Sequence, residues 1–121
     1  MLIRIDPDSD VALFAQVAAS VRADAAAGRM RPGDRLPAAR EVAGALGINL
    51  HTVLRAYQEL RDEGLVDMRR GRGAVLTEAA IPLAELHREI LALAIHAHAL
   101  GLAPDTLASL VLQTAREGAR P

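Results

Sequence analysis

Cysteine, tryptophan and lysine are absent from this chain of 121 residues, and its two aromatic side chains are Phe14 and Tyr57. The absence of cysteine excludes disulfides and thiolate metal sites, which fits a reducing cytosol. No segment has the uncharged apolar length of a membrane span, and the N-terminus lacks a signal-peptide layout. These absences predict a soluble, cytoplasmic protein that does not act at a membrane.

Apolar residues make up 51% of the chain, and many of them are alanine. Because alanine is the best helix former and a poor strand residue, the composition favours a mainly helical fold. The length suits one domain, or a small domain with an appendage.

The net charge of −1 is not the basic footprint that is common in DNA-binding domains. The position of the charges matters more than their sum, because every basic residue other than histidine is arginine, whose planar fork can bond two phosphate oxygens. The arginines include two local groups: Arg29, Arg31, Arg35 and Arg40, and Arg69, Arg70 and Arg72. The sequence therefore predicts basic patches rather than a basic protein.

Residues 36–77 contain the clearest structural pattern. Apolar residues at helical spacing end at Gly47, and Asn49 is a good N-cap for a second helix over 50–63. One apolar stripe of that helix is formed by Val53, Ala56, Tyr57 and Leu60. We interpret Tyr57 as a core residue rather than a base-stacking one, since it lies on this stripe.

Short β-prone runs at 65–66 and 74–76 flank Arg69-Arg70-Gly71-Arg72-Gly73, which predicts a hairpin with a basic tip. Glycine lets such a tip turn with positive φ, and arginine favours the potential of a narrow minor groove. Two helices, a turn with glycine and a basic hairpin together predict a winged helix-turn-helix.

Four segments at fixed spacing carry a family resemblance: 36–43 (LPAAREVA), 52–57 (TVLRAY), 63–65 (EGL) and 71–73 (GRG). Together they resemble the DNA-binding half of GntR-type bacterial transcription regulators. With two short helices after that half, the chain is most similar to the YtrA-like short subfamily. The resemblance implies an operator-binding protein without enzymatic activity.

The resemblance also implies which residues approach DNA, with Thr52 and Arg55 at the backbone or base edges and Arg40 on phosphate. The expected DNA-binding set is Arg35, Ala38, Arg40, Leu50, His51, Thr52, Arg55, Arg70, Gly71, Arg72 and Gly73. Many short relatives have proline and asparagine where this chain has Leu50 and His51, and some have a base-reading arginine at Leu54. Leucine cannot hydrogen-bond a base, although it can contact a thymine methyl group.

The first helix is expected over 11–27 with Asp10 as its N-cap, after an extended arm or short strand. The second helix is expected to begin after Leu36-Pro37, since proline is tolerated at a helix start, where a missing N–H has no intrahelical partner. Ala38 stands where relatives commonly have serine, so a side-chain cap is missing there.

A change of composition near Glu78 predicts two domains, a winged domain over 1–78 and a helical domain over 79–121. We expect one helix from Pro82 to about Leu100 and a last helix from Pro104 to before Gly118. Their apolar residues wrap around most of the surface, so a second copy of the chain is the natural cover. The expected dimer interface is Leu83, Leu86, Ile90, Leu93, Ala97, Leu107, Leu110 and Val111.

Neither a metal site nor a catalytic site is expected. His96 and His98 point to different sides of a helix, while His87 and His98 lie about 16 Å apart along one. No nucleophile–base set or phosphate loop is present, and no cofactor is expected. The two C-terminal helices are too short to enclose a drug-sized pocket, and the sequence leaves open whether a small-molecule effector exists.

The sequence therefore predicts a homodimeric, sequence-specific regulator, and more specifically a repressor, whose winged domains read an inverted repeat in double-stranded DNA. The alternative is an architectural DNA-binding protein with little sequence preference, which Leu50 and Leu54 favour. An enzyme is the third reading, and the missing catalytic motifs argue against it.

Overall fold

The computed structural model describes residues 2–118. In chain order the elements are α1 (Leu13–Ala26), α2 (Ala39–Leu46), α3 (Leu50–Asp62), β1 (Val66–Arg69), β2 (Gly73–Leu76), α4 (Ala80–Ala99) and α5 (Pro104–Gly118). Helices with a small hairpin confirm the predicted fold class. The chain divides into two compact units between Leu86 and His87, within α4.

The first unit is built around an apolar core to which α1, α2, α3 and the hairpin all contribute. The fully buried side chains at its centre are Val17, Val21, Val53, Leu60, Val66, Val75 and Leu76. Burying a side chain of this size contributes about 1.5–3 kcal/mol, so this cluster is the main source of stability of the unit.

The α2–turn–α3 segment confirms the predicted pattern. Gly47 has φ 67° and ψ 33°, the left-handed conformation that ends α2, and a non-glycine residue would be strained there. Asn49 caps α3, because its side chain accepts a 2.8 Å hydrogen bond from the His51 amide. The predicted stripe of α3 is buried in full: Val53, Ala56, Tyr57 and Leu60.

The expected start of α1 was wrong. Asp10 is not the N-cap, since the helix begins at Leu13 and Ala12 occupies the cap position. The Gln16 side chain instead organises the preceding segment, with Oε1 accepting from the Asp6 amide at 2.6 Å and Nε2 donating to the Val11 carbonyl at 2.8 Å. The expected extended arm lies before this segment, and Ile3 anchors it in the core.

The second helix begins after Leu36-Pro37, as expected, with Ala38 as its N-cap and Ala39 as its first residue. The expected start of α4 moved by less than one turn, because the helix begins at Ala80, before Pro82, and the proline lies inside the first turn. Proline is tolerated at both places, since neither needs an intrahelical N–H donor.

The hairpin is antiparallel, and its register pairs Val66 with Leu76 and Arg69 with Gly73. Its turn is therefore 70–72, so Arg69 and Gly73 belong to the strands rather than to the tip as expected. Residues 34–36 lie along β2, where the Leu76 amide donates to the Asp34 carbonyl and the Leu36 amide donates to the Ala74 carbonyl, both at 2.8 Å. The connector between α1 and α2, residues 27–38, is thus fixed to the hairpin by these hydrogen bonds.

The start of α4 belongs to the first unit, because Ala80 is buried in its core and Leu83 packs against the same cluster. The second unit comprises the rest of α4 together with α5. Gly101, with φ 79°, lies in the turn between the two helices. The division into functional domains at 78/79 stays a prediction, and residues 119–121 of the expected second domain lie outside the described residues.

Candidate nucleic-acid interface

The first turn of α2 carries Arg40, whose side chain is exposed. The N-cap is Ala38, and because an alanine side chain has no hydrogen-bonding group, the amides of this turn depend on water or a ligand for hydrogen bonds. Glu41 follows in the same turn and offers a favourable charge to the helix dipole. Arg35 and Ala38 are exposed as well, which leaves the segment from the connector to α2 open to solvent.

The outward side of α3 presents His51, Leu54 and Arg55, all exposed, with Thr52 half-buried beside them. Leu54 is 43% exposed, so an apolar side chain is accessible on this side of the helix. Leu50 differs from the expected contact set, because it is half-buried and packs against the core. Its side chain therefore has a structural role that the sequence pattern did not suggest.

Arg55 lies against Phe14 of α1. The guanidinium carbon is 3.7 Å from the centroid of the phenyl ring, within the distance of a cation–π interaction. This contact joins α3 to α1 across 41 positions of the chain, and no local sequence pattern indicates it.

The hairpin of β1 and β2 is the wing of this fold. It exposes four neighbouring residues: Arg70, Gly71, Arg72 and Gly73. Gly71 and Gly73 have φ angles of 78° and 71°, so the turn depends on glycine at both positions. Arg72 Nη2 donates a long 3.5 Å hydrogen bond to the Gly33 carbonyl oxygen, which brings the tip next to the connector that carries Arg35.

Several other arginines are paired with carboxylates. Arg29 Nε donates to Asp24 Oδ1 at 2.7 Å, and Asp24 is the buried acidic residue of α1. Arg22 pairs with Glu63 at 2.9 Å, and Arg69 lies 3.5 Å from Asp67. Arg29 therefore stabilises the end of α1 and is not part of the free basic group in which the sequence placed it.

Within residues 2–118, all five arginines of the expected contact set make no ion pair: Arg35, Arg40, Arg55, Arg70 and Arg72. The structure places them on the connector, α2, α3 and the wing of one compact unit. The arginines that do pair lie on α1, directly after it, at the end of α3 and on β1. Ion pairing thus distinguishes arginines that contact a carboxylate from exposed ones that do not, a distinction that the sequence alone does not make.

Tyr57 is buried, as predicted, and its hydroxyl donates a 2.6 Å hydrogen bond to the Pro37 carbonyl oxygen. Burial raises the pKa of this hydroxyl well above its usual range, and the nearby Glu41 carboxylate raises it further. The contact joins α3 to the segment directly before α2.

The helical hairpin of the second unit exposes a large amount of apolar surface. Ile90, Leu93, Leu110 and Val111 of the expected interface are exposed, as is Leu86 at the end of the first unit. Ala97 is buried within its own chain, and Leu107 is half-buried. A shallow apolar groove runs between the two helices, lined by Leu93, Ala97, Leu100, Leu107, Leu110 and Val111.

Over the described range 2–118, no cluster of histidine and acidic side chains could coordinate a metal ion. Within the same range, each helix is either too short or too polar to cross a lipid bilayer.

The fold and the exposed arginines define a winged helix-turn-helix protein. The sequence profile described as "Bacterial regulatory proteins, gntR family" matches residues 13–76, and the chain belongs to that family. This confirms the resemblance seen in the sequence. The family and its members below are transcription regulators rather than enzymes, which also confirms the prediction that the chain is not an enzyme.

Similar proteins include the "HTH-type transcriptional repressor YtrA" of Bacillus subtilis, 39% identical over 79 residues, which are 65% of this chain and 61% of that protein. The "HTH-type transcriptional regulator Rv1152" of Mycobacterium tuberculosis is 37% identical over 75 residues, 62% of each chain. The matched part thus spans about three fifths of these relatives.

Among solved structures, the chain is similar to "YtrA from Sulfolobus acidocaldarius, a GntR-family transcription factor". The identity is 35% and the TM-score is 0.59, over 84% of this chain and 99% of the other. This similarity reaches beyond the winged unit into the C-terminal helices.

Proposed function

We propose that this chain is a cytoplasmic transcription repressor that binds an inverted-repeat operator as a homodimer. The observation that carries the proposal is that Arg35, Arg40, Arg55 and Arg72 are exposed on a winged helix-turn-helix of the GntR family and make no ion pair with residues 2–118. Guanidinium groups without carboxylate partners are suited to phosphate and base edges, and the arginines used for folding lie elsewhere.

In this proposal Arg40 binds a backbone phosphate at the start of α2. The uncapped amides of the first turn and the positive end of the helix dipole favour an anion at the same place. The guanidinium would otherwise oppose the dipole, so a bound phosphate satisfies both. Contacts of this kind fix the register of the protein on the duplex without reading sequence.

Base edges are read by the N-terminal half of α3. His51, Thr52 and Arg55 supply hydrogen-bonding groups, and the exposed Leu54 supplies an apolar contact suited to a thymine methyl group. In this proposal Arg72, which lies beside the connector at the tip of the wing, enters an adjacent minor groove, where arginine responds to groove width. We therefore expect preference for A·T pairs in part of each half-site.

The exposed apolar residues of α4 and α5 form the dimer contact. Ile90 and Leu110 are 55% and 54% exposed, and a monomer gains nothing from leaving such side chains in water. A symmetric dimer presents the same patch from both copies, so the two winged units would meet an inverted repeat with half-sites about 34 Å apart.

Selection of bound sequences from random double-stranded DNA tests the function directly. We expect an inverted repeat to emerge, and its affinity should exceed that of a scrambled duplex by about 10³-fold or more at physiological salt. The net charge of −1 predicts weak non-specific binding, so the difference should be easy to measure.

The outcome also separates a sequence-specific regulator from an architectural DNA-binding protein, the alternative that the exposed Leu54 and the half-buried Leu50 support. Equal affinity for selected and scrambled duplexes would favour an architectural protein. The absence of binding to either duplex would contradict both functions. A matched duplex with one half-site scrambled serves as the control for dimeric recognition.

A further inference from the structure

Phe14 and Arg55 form a contact that neither the core nor the proposed DNA contacts explain. Phe14 is half-buried near the start of α1, and its ring faces a guanidinium on the outward side of α3 at 3.7 Å. Phe14 is the sole phenylalanine of the sequence. An aliphatic residue would fill the same position at the edge of the core without this electrostatic attraction to a cation.

The geometry leaves the donors of Arg55 available. The ring occupies one face of the guanidinium, whereas the five N–H groups lie in the guanidinium plane and point away from that face. Within residues 2–118, Arg55 has no carboxylate partner that would compete for these donors. Stacking thus fixes where the side chain is while its hydrogen-bonding edge stays free.

We propose that Phe14 is a positioning residue for DNA recognition, which holds the Arg55 guanidinium in its binding arrangement before DNA arrives. This inference rests on the proposed function. A free arginine side chain loses much rotamer entropy when it is fixed in a complex. The stacked side chain has lost part of that entropy on folding, so less is lost on binding.

The magnitude follows from the strength of an exposed cation–π contact. Removal of the ring should weaken binding by about two- to fivefold per half-site. The number of phosphates contacted should not change, because the arginine itself remains. Affinity and its salt dependence should therefore respond differently to a change at Phe14.

A double-mutant cycle on the full chain tests the inference, with the duplex obtained by selection as the probe. The variants are Phe14→Leu, Arg55→Ala and the pair together, with Phe14→Tyr as the conservative control that keeps the ring. We expect Phe14→Leu to weaken binding in the wild-type background and to have no effect beside Arg55→Ala. Phe14→Tyr should bind like wild type. The salt slope, which is the slope of log affinity against log salt concentration, should be the same for Phe14→Leu and wild type.

Two results would overturn the inference while the proposed function stands. The first is an equal loss from Phe14→Leu with and without Arg55, which is the behaviour of a merely structural residue. The second is tighter binding by Phe14→Leu, which would mean that stacking withholds Arg55 from DNA. Failure of the wild-type chain to bind any selected duplex would instead contradict the proposed function.

A second measurement does not depend on the folding of any variant. In the wild-type chain without DNA, the ring current of Phe14 should move the side-chain proton resonances of Arg55 upfield of those of Arg40, which makes no cation–π contact within residues 2–118. Equal resonances for the two arginines would show that the stack is not formed in solution and would overturn the inference.

Discussion

The Tyr57 hydroxyl donates a 2.6 Å hydrogen bond to the Pro37 carbonyl oxygen, and this bond joins α3 to the residue before the N-cap of α2. Tyr57 also lies on the buried stripe of α3. The first turn of α2, with Arg40 in it, is therefore fixed by a residue whose ring belongs to the core. A buried carbonyl that loses its donor costs about 1–3 kcal/mol, so the bond matters for stability as well as for position.

The pH dependence of stability at alkaline pH should come from Tyr57 alone. The chain has no lysine or cysteine and one tyrosine, so no other side chain titrates between about pH 9 and pH 12. Burial, and then the Glu41 carboxylate, raise the pKa of the folded state above the unfolded value near 10. A raised pKa gives stability that is complete below about pH 10 and is lost as pH rises above it.

Urea unfolding at about pH 9 and about pH 11 measures this loss, and tyrosinate absorbance follows the titration of the same residue. Tyr57→Phe should cost about 1–2 kcal/mol at pH 9 and should remove the difference between the two pH values. Gln58→Ala, at the exposed neighbouring position, is the control and should change stability by less than about 0.5 kcal/mol. Tyrosinate formation near pH 10 in the folded chain would contradict the prediction.

The local periodicity of the sequence was sufficient to predict α3, because the burial of Val53, Ala56 and Leu60 follows from helical spacing alone. Gly47 and Asn49 fixed its boundary through specific backbone chemistry. The start of α1 was less predictable for a physical reason. Its N-cap is Ala12, and alanine provides none of the side-chain signals by which a helix start is recognised.

The site could be predicted as a set of residues but not as a set of contacts. Arg29 and Arg40 belong to the same local group of arginines in the sequence, yet one is bonded to the buried Asp24 and the other is unpaired in the described chain. The Phe14–Arg55 contact depends on the packing of α1 against α3, which no local pattern encodes. Such distinctions come from tertiary structure, and single-sequence reasoning does not provide them.

Arg40→Ala should weaken operator binding by about 1–3 kcal/mol and leave the fold intact. The side chain is exposed and has no ion pair within residues 2–118, so its removal should not affect the core. If Arg40 contacts phosphate, the slope of log affinity against log salt concentration should be shallower for Arg40→Ala than for wild type, by about one per protomer. Arg61→Ala, an exposed arginine near the end of α3 that lies 3.8 Å from Asp62, is the control. Equal affinities for both variants would remove Arg40 from the contact set.

Arg72→Ala should reduce the preference for A·T-rich sequence beside each half-site. A narrow minor groove in such sequence has an enhanced negative potential, and the tip of the wing offers Arg72 to it. Affinity should be compared on operators with A·T-rich and G·C-rich flanks. The matched control is Arg69→Ala, since Arg69 lies in β1 at 3.5 Å from Asp67. A uniform loss on both flanks would indicate a phosphate contact instead of a response to groove shape.

Ile90→Asp and Leu110→Asp should each dissociate the proposed dimer. Each should also weaken operator binding as a consequence. Both side chains are a little over half exposed, at 55% and 54%, and an aspartate buried there on association would lack a partner. Without the dimer, the second half-site no longer binds as an intramolecular event, so affinity should fall by about 10²-fold or more. Val11→Asp, at a position 52% exposed outside the C-terminal helices, is the control. Sedimentation velocity and DNA titration check the two effects, and a variant that stays dimeric with wild-type affinity would exclude this surface from the interface.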